Sequence, residues 1–64
     1  MMDWFSAALT LLDKGIPSRR EDAVNALHKL LDYHGRALGE GRLILAAQIK
    51  KRIEEIKETY EDIA

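Results

Sequence analysis

The residues best suited to chemistry crowd into one stretch, HKLLDYHGRALGEGR, residues 28 to 42, which holds both histidines and three of the four glycines. His28 and Asp32 are four apart and would share a helix face. His34 lies six residues beyond His28, about 240° further round at 3.6 residues per turn. The two imidazoles therefore cannot grip one ion from a single helix. A pair of ligands without a third falls short of a zinc site such as His-Glu-x-x-His with its downstream ligand. His28 reads as solvated and His34 as a half-buried packing residue over Ala46. No metal is expected.

The segment GRALGEGR offers glycines and arginines, the materials of a phosphate cradle. No strand precedes it, the Lys-Ser/Thr of a nucleotide-binding loop is absent, and Glu40 would repel a phosphate. A helix cap followed by a tight turn accounts for it, so no cofactor is expected either. Catalysis has least support. The chain contains no cysteine, and no Ser/His/Asp or Cys/His constellation stands out. A protein of this size also has little room for a water-excluding pocket that could bind a small-molecule substrate. The expectation is a protein that is not an enzyme.

The elements that would position any site are legible from the periodicity. Sixty-four residues make a single domain, 1–64, near the lower size limit for folding without disulfides or metals. Ten Lys+Arg against eleven Asp+Glu leave a net charge of −1, unlike the basic footprint of a general nucleic-acid binder. The opening MMDWFSAALTLLDKG lacks the basic start of an export signal, and no apolar run approaches the ~20 residues of a membrane span. A cytoplasmic protein is expected. Its size suits one encoded by a phage or mobile element.

Apolar residues at 4, 5, 8, 9, 11 and 12 predict a short helix over about 3–14, with Asp3 as N-cap and KGIP as its stop. Ser18 and Glu21 are spaced for a capping box opening a second helix, predicted over about 19–38. That helix carries Val24, Leu27, Leu31, His34 and Leu38 at steps of three and four. A third, predicted over about 42–63, carries Ala46, Ile49, Ile53, Ile56, Tyr60 and Ile63. Both stripes are a/d seams. If Gly39 caps the second helix, folding the chain about Glu40 pairs Val24 with Ile56, Leu27 with Ile53, Leu31 with Ile49 and His34 with Ala46. It also sets Arg19 and Arg20 beside the acidic end of the third helix. Turn chemistry and two independent periodicities agree. The predicted fold is all-α, a short helix preceding a long antiparallel hairpin.

With GIPS as a tight turn, the first helix would climb the hairpin only to about residues 30 and 50, leaving the tip uncovered. The run RLILAA, 42 to 47, is apolar round most of its circumference, which calls for burial. A partner surface is therefore predicted at Tyr33, Ala37, Leu43, Ile44 and Ala47, extended by Trp4 and Leu11.

The outline resembles small dimeric helical-hairpin proteins that form four-helix bundles, a likeness of architecture that carries no function. The expected role is a protein–protein interaction module: a homodimeric regulator, adaptor or inhibitor, binding itself, a larger protein, or both. The alternative is a nucleic-acid-binding regulator using the first two helices, with Arg19, Arg20 and Asn25 near the recognition position. Glu21 and Asp22 oppose that alternative.

Overall fold

The computed structural model describes residues 3–63; residues 1, 2 and 64 of the expected single domain lie outside it. Its helices are α1 (Trp4–Asp13), α2 (Arg20–Gly39) and α3 (Leu43–Thr59), followed by a 3-10 turn at Glu61–Ile63. The fold is all-α, with α2 and α3 packed as an antiparallel hairpin and α1 laid against both.

Local chemistry explains most of the boundaries. Asp3 caps α1: its carboxylate accepts the Ser6 backbone N–H at 2.8 Å. That bond holds the carboxyl below its ordinary range. The helix stops where Gly15 turns left-handed at φ 77°, a backbone that glycine adopts without penalty.

The hairpin turn is a Schellman motif. Arg42 N–H donates to the Ala37 carbonyl at 2.8 Å and Gly41 N–H to the Leu38 carbonyl at 3.1 Å. The left-handed residue is Gly41, at φ 72°, and not Gly39 as the sequence reading placed it. Gly39 is the last residue of the helix proper. The break still falls within Gly-Glu-Gly, so α2 runs straight through Gly35. A methyl group on Gly35 would meet nothing within 4 Å. Gly35→Ala should therefore raise stability by about 0.5–1 kcal/mol. Gly41→Ala should lower it by about 1–2 kcal/mol, because an alanine resists the left-handed backbone. Thermal melts moving in opposite directions would check the pair.

Two predicted ends need correction. The Ser18–Glu21 capping box does not form: Arg19 is the N-cap of α2 and makes no side-chain capping bond. The cause lies in the preceding segment, where the Tyr60 hydroxyl donates to the Pro17 carbonyl at 2.6 Å. This bond anchors the incoming chain, and the helix begins one residue later. α3 likewise stops at Thr59 and does not continue to 63. Glu61 and Asp62 sit where a helix C-terminus disfavours negative charge. Asp62 pairs instead with Arg20 across the open end of the hairpin.

The core is centred on Leu30, Ile49 and Ile56, all fully buried. On α3 the buried stripe is the expected one: Ala46, Ile49, Ile53 and Ile56, with Tyr60 half-buried. On α2 it is rotated. Ala23, Ala26, Leu27, Leu30 and Ala37 are buried, whereas Leu31 and Leu38 of the expected seam are about half exposed, at 49% and 51%. Val24 and His34 are half-buried. Leu27 of the expected seam is buried, so the rotation is less than the ~100° that one full residue would give. α2 must face α1 as well as α3, so its buried arc centres between two neighbours, and alanines at 23, 26 and 37 leave room for both.

The reach of α1 also differs from expectation. The connection between α1 and α2 is an extended riser. Followed from α2 back to α1, it passes Pro17, held by the Tyr60 hydroxyl, and reaches Leu12, whose carbonyl accepts from the Arg52 guanidinium at 2.9 Å. Arg52 on α3 and Tyr60 at its C-cap are separated by about 12 Å along the helix axis. Having gained that height in loop, the ten residues of α1 cover a further ~15 Å. They arrive at the hairpin tip.

Candidate functional site

The tip is closed from one side by aromatic side chains of α1. Trp4 stacks on Tyr33, ring centroids 6.3 Å apart and planes at 30°, and meets the Phe5 ring edge-on at 6.1 Å. Its indole N–H donates to Glu40 Oε2 at 3.0 Å, while Arg42 Nε donates to Oε1 at the same distance. The Arg42 bond, and after it the Trp4 bond, hold the Glu40 carboxyl below its ordinary range. The Arg42 guanidinium also lies 4.4 Å from the Phe5 ring centroid, within cation–π range. Glu40 thus ties α1 to the start of α3. The ion pair in this clamp is exposed, so solvent screens it and the packed rings hold α1 more than the charge does.

Outside the clamp, apolar surface remains. Leu43 is 67% exposed and Ile44 79%. With Phe5, Leu9 and Leu45 they line an open groove between α1 and α3, with Gln48 at its edge. The groove forms because α3 begins with Leu-Ile-Leu-Ala-Ala. Five consecutive apolar residues cannot all face one core, so Leu45 and Ala46 turn inward while Leu43, Ile44 and Ala47 stay exposed.

Of the residues assigned to a partner surface, Leu43, Ile44 and Ala47 are therefore at the surface. Ala37 is not: it is wholly buried within its own chain. The rotation of α2 that exposes Leu38 turns Ala37 inward. Trp4 and Tyr33 are half-buried against each other, and Leu11 is half-buried on the side where α1 meets α2. The sequence reading missed Phe5 and Leu9. Their i, i+4 spacing on a helix with an over-wide apolar face was the available signal.

The candidate chemical groups are dispersed. His28 is exposed, Asp32 is paired with Arg36 at 3.0 Å, and His34 is half-buried. Among the described residues, no group of three or more His, Cys, Asp or Glu is placed to hold a metal. Of the arginines proposed for nucleic-acid contact, Arg20 is engaged by Asp62, and Arg19 stands 3.9 Å from Glu21. No helix among the described residues is long and apolar enough to cross a membrane.

No protein-family model matches the chain, and neither a curated protein nor a solved structure matches it.

Proposed function

We propose that the protein is a non-enzymatic protein–protein interaction module: a homodimeric helical regulator, adaptor or inhibitor that acts in the cytoplasm and binds a larger protein. The supporting observation is the groove between α1 and α3, with Ile44 79% exposed on its wall beside Leu9 and Leu43. Bare apolar side chains contiguous at one end of a small domain characterise a docking surface more than a random distribution of surface hydrophobes. The clamp beneath them holds the groove open before a partner arrives, reducing the ordering cost of binding.

Capture from host extract with the wild-type chain as bait, compared with Ile44→Glu, tests this reading. A charged side chain in the groove should abolish recovery of the partner protein, while Glu58→Lys, exposed at the far end of α3, should not. Recovery of the same proteins by wild type and Ile44→Glu would remove the groove from the mechanism. Arg19 and Arg20 already have carboxylates for company, so the nucleic-acid alternative gains no support from their placement.

A further inference from the structure

A second apolar face lies on the side of the hairpin away from α1. On α2, the residues that meet α1 include Ala26, Lys29 and Tyr33. Leu31, Val24 and Leu38 each stand five residues from one of these, about 140° round the helix. On α3, Leu45, Gln48 and Arg52 are turned toward α1. Lys50 and Lys57 stand in the same relation to Leu45 and Arg52. The two sets flank the α2–α3 groove on the far side. Between the half-exposed Leu31 and Leu38 sits Gly35, above which a side chain would find open space. A mid-helix glycine costs about 1 kcal/mol relative to alanine, and no close approach within this chain requires it. It does let another backbone come near.

We propose that this face receives a second copy of the chain, α2 beside its counterpart and tips together, about a twofold axis running along the helices. The proposal rests on the interaction-module reading and supplies the surface through which two modules join. Charge selects both the occupant and its direction. On the α3 side the margin of the apolar stripe is net basic, Lys50 and Lys57 with Glu54 on the same face between them. Neither lysine lies within 4 Å of an acidic side chain among the described residues. The margin on the other side carries Glu21 and Asp32, each already near an arginine of its own chain, Arg19 at 3.9 Å and Arg36 at 3.0 Å, in exposed pairs that a second copy's lysines would join. In the hairpin register, Asp32 stands near the height of Lys50 and Glu21 near that of Lys57. With tips together, each basic margin meets the partner's acidic margin at matching height, and this happens twice by symmetry. In the head-to-tail arrangement each margin meets its own kind. Two helices about 30 Å long and about 10 Å wide each present on the order of 600 Å², toward the lower end of the ~800 Å² per partner typical of specific interfaces.

Sedimentation equilibrium, from dilute to millimolar protein, tests the arrangement. The wild type should be a dimer at high concentration. Leu38→Glu should weaken the dimer about 100-fold or more while keeping its helical circular dichroism. If that variant fails to fold, Leu31→Lys serves in its place. Lys50→Glu should weaken the dimer about tenfold, and adding Asp32→Lys should restore it. Ile44→Glu should leave it intact. A wild type that stays monomeric, a dimer indifferent to both leucine substitutions, or one broken only by Ile44→Glu would overturn the proposal. Failure of the Asp32→Lys rescue would overturn the tips-together direction. A monomer that still captures a partner through Ile44 defeats the dimer, and with it the homodimeric part of the proposed function, and leaves the partner-binding module standing. A dimer that captures nothing does the reverse.

Discussion

Leu30→Ala should destabilise the protein by about 2–5 kcal/mol, whereas Leu31→Ala should cost less than about 1 kcal/mol in the dilute monomer. The two leucines are neighbours in sequence with the same side chain. Leu30 is 1% exposed at the centre of the core; Leu31 is half exposed. Truncating the first removes buried methyl groups and leaves a hole that α1 and α3 cannot both close. Truncating the second removes atoms that already touch water. In a domain this small, each kcal/mol moves the melting midpoint by about 4–8 °C, so Leu30→Ala should lower it by roughly 10 °C or more. Total stability is only about 5–15 kcal/mol for ordinary domains, and a chain of 64 residues belongs near the bottom. Urea titrations at low concentration, where association is negligible, would read both values. If Leu31→Ala proved as damaging as Leu30→Ala, α2 would be facing α3 along its Val24–Leu31–Leu38 stripe after all, and the packing described above would be wrong.

Ala37→Glu should unfold the protein or strip most of its helical circular dichroism, and Ala47→Glu should change stability by no more than about 0.5 kcal/mol. Both alanines belong to the predicted partner surface. The fold separates them, burying Ala37 completely and leaving Ala47 in water. A carboxylate at 37 would be forced into the space that a fully buried alanine now fills, which costs several kcal/mol. At 47 it would stay hydrated on the face of α3. A well-folded Ala37→Glu would mean that the tip is open and that α1 does not reach it. Loss of helical signal with Ala47→Glu would mean that more of α3 is covered than the exposure of Leu43 and Ile44 indicates.

What could be read from the sequence was whatever depends on neighbours along the chain. Asp3 capping Ser6, the left-handed glycine at 15, the Gly-Glu-Gly break and the α3 stripe from Ala46 to Ile56 are local matters. Each is set by the backbone preferences of a few residues or by the period of one helix. The antiparallel pairing was legible too, because two such stripes meeting about a known turn leave little freedom. The chemical candidates at His28, Asp32 and His34 could be weighed for the same reason, since angles on a single helix follow from residue numbers.

The rotation of α2 about its own axis depended on tertiary contacts. Its sequence supports two overlapping stripes, Ala23–Leu30–Ala37 and Val24–Leu31–Leu38, one residue apart, and a heptad count prefers the one with larger side chains. The third helix reverses that preference: α2 must serve α1 and α3 together, so the stripe with small residues goes inward and the leucines go out. The height of α1 was equally non-local. It depends on an extended riser held by Tyr60 and Arg52, whose partner carbonyls lie 43 and 40 residues away along the chain. Local periodicity made the helices; three-body packing chose which faces they hide and which they leave for another molecule.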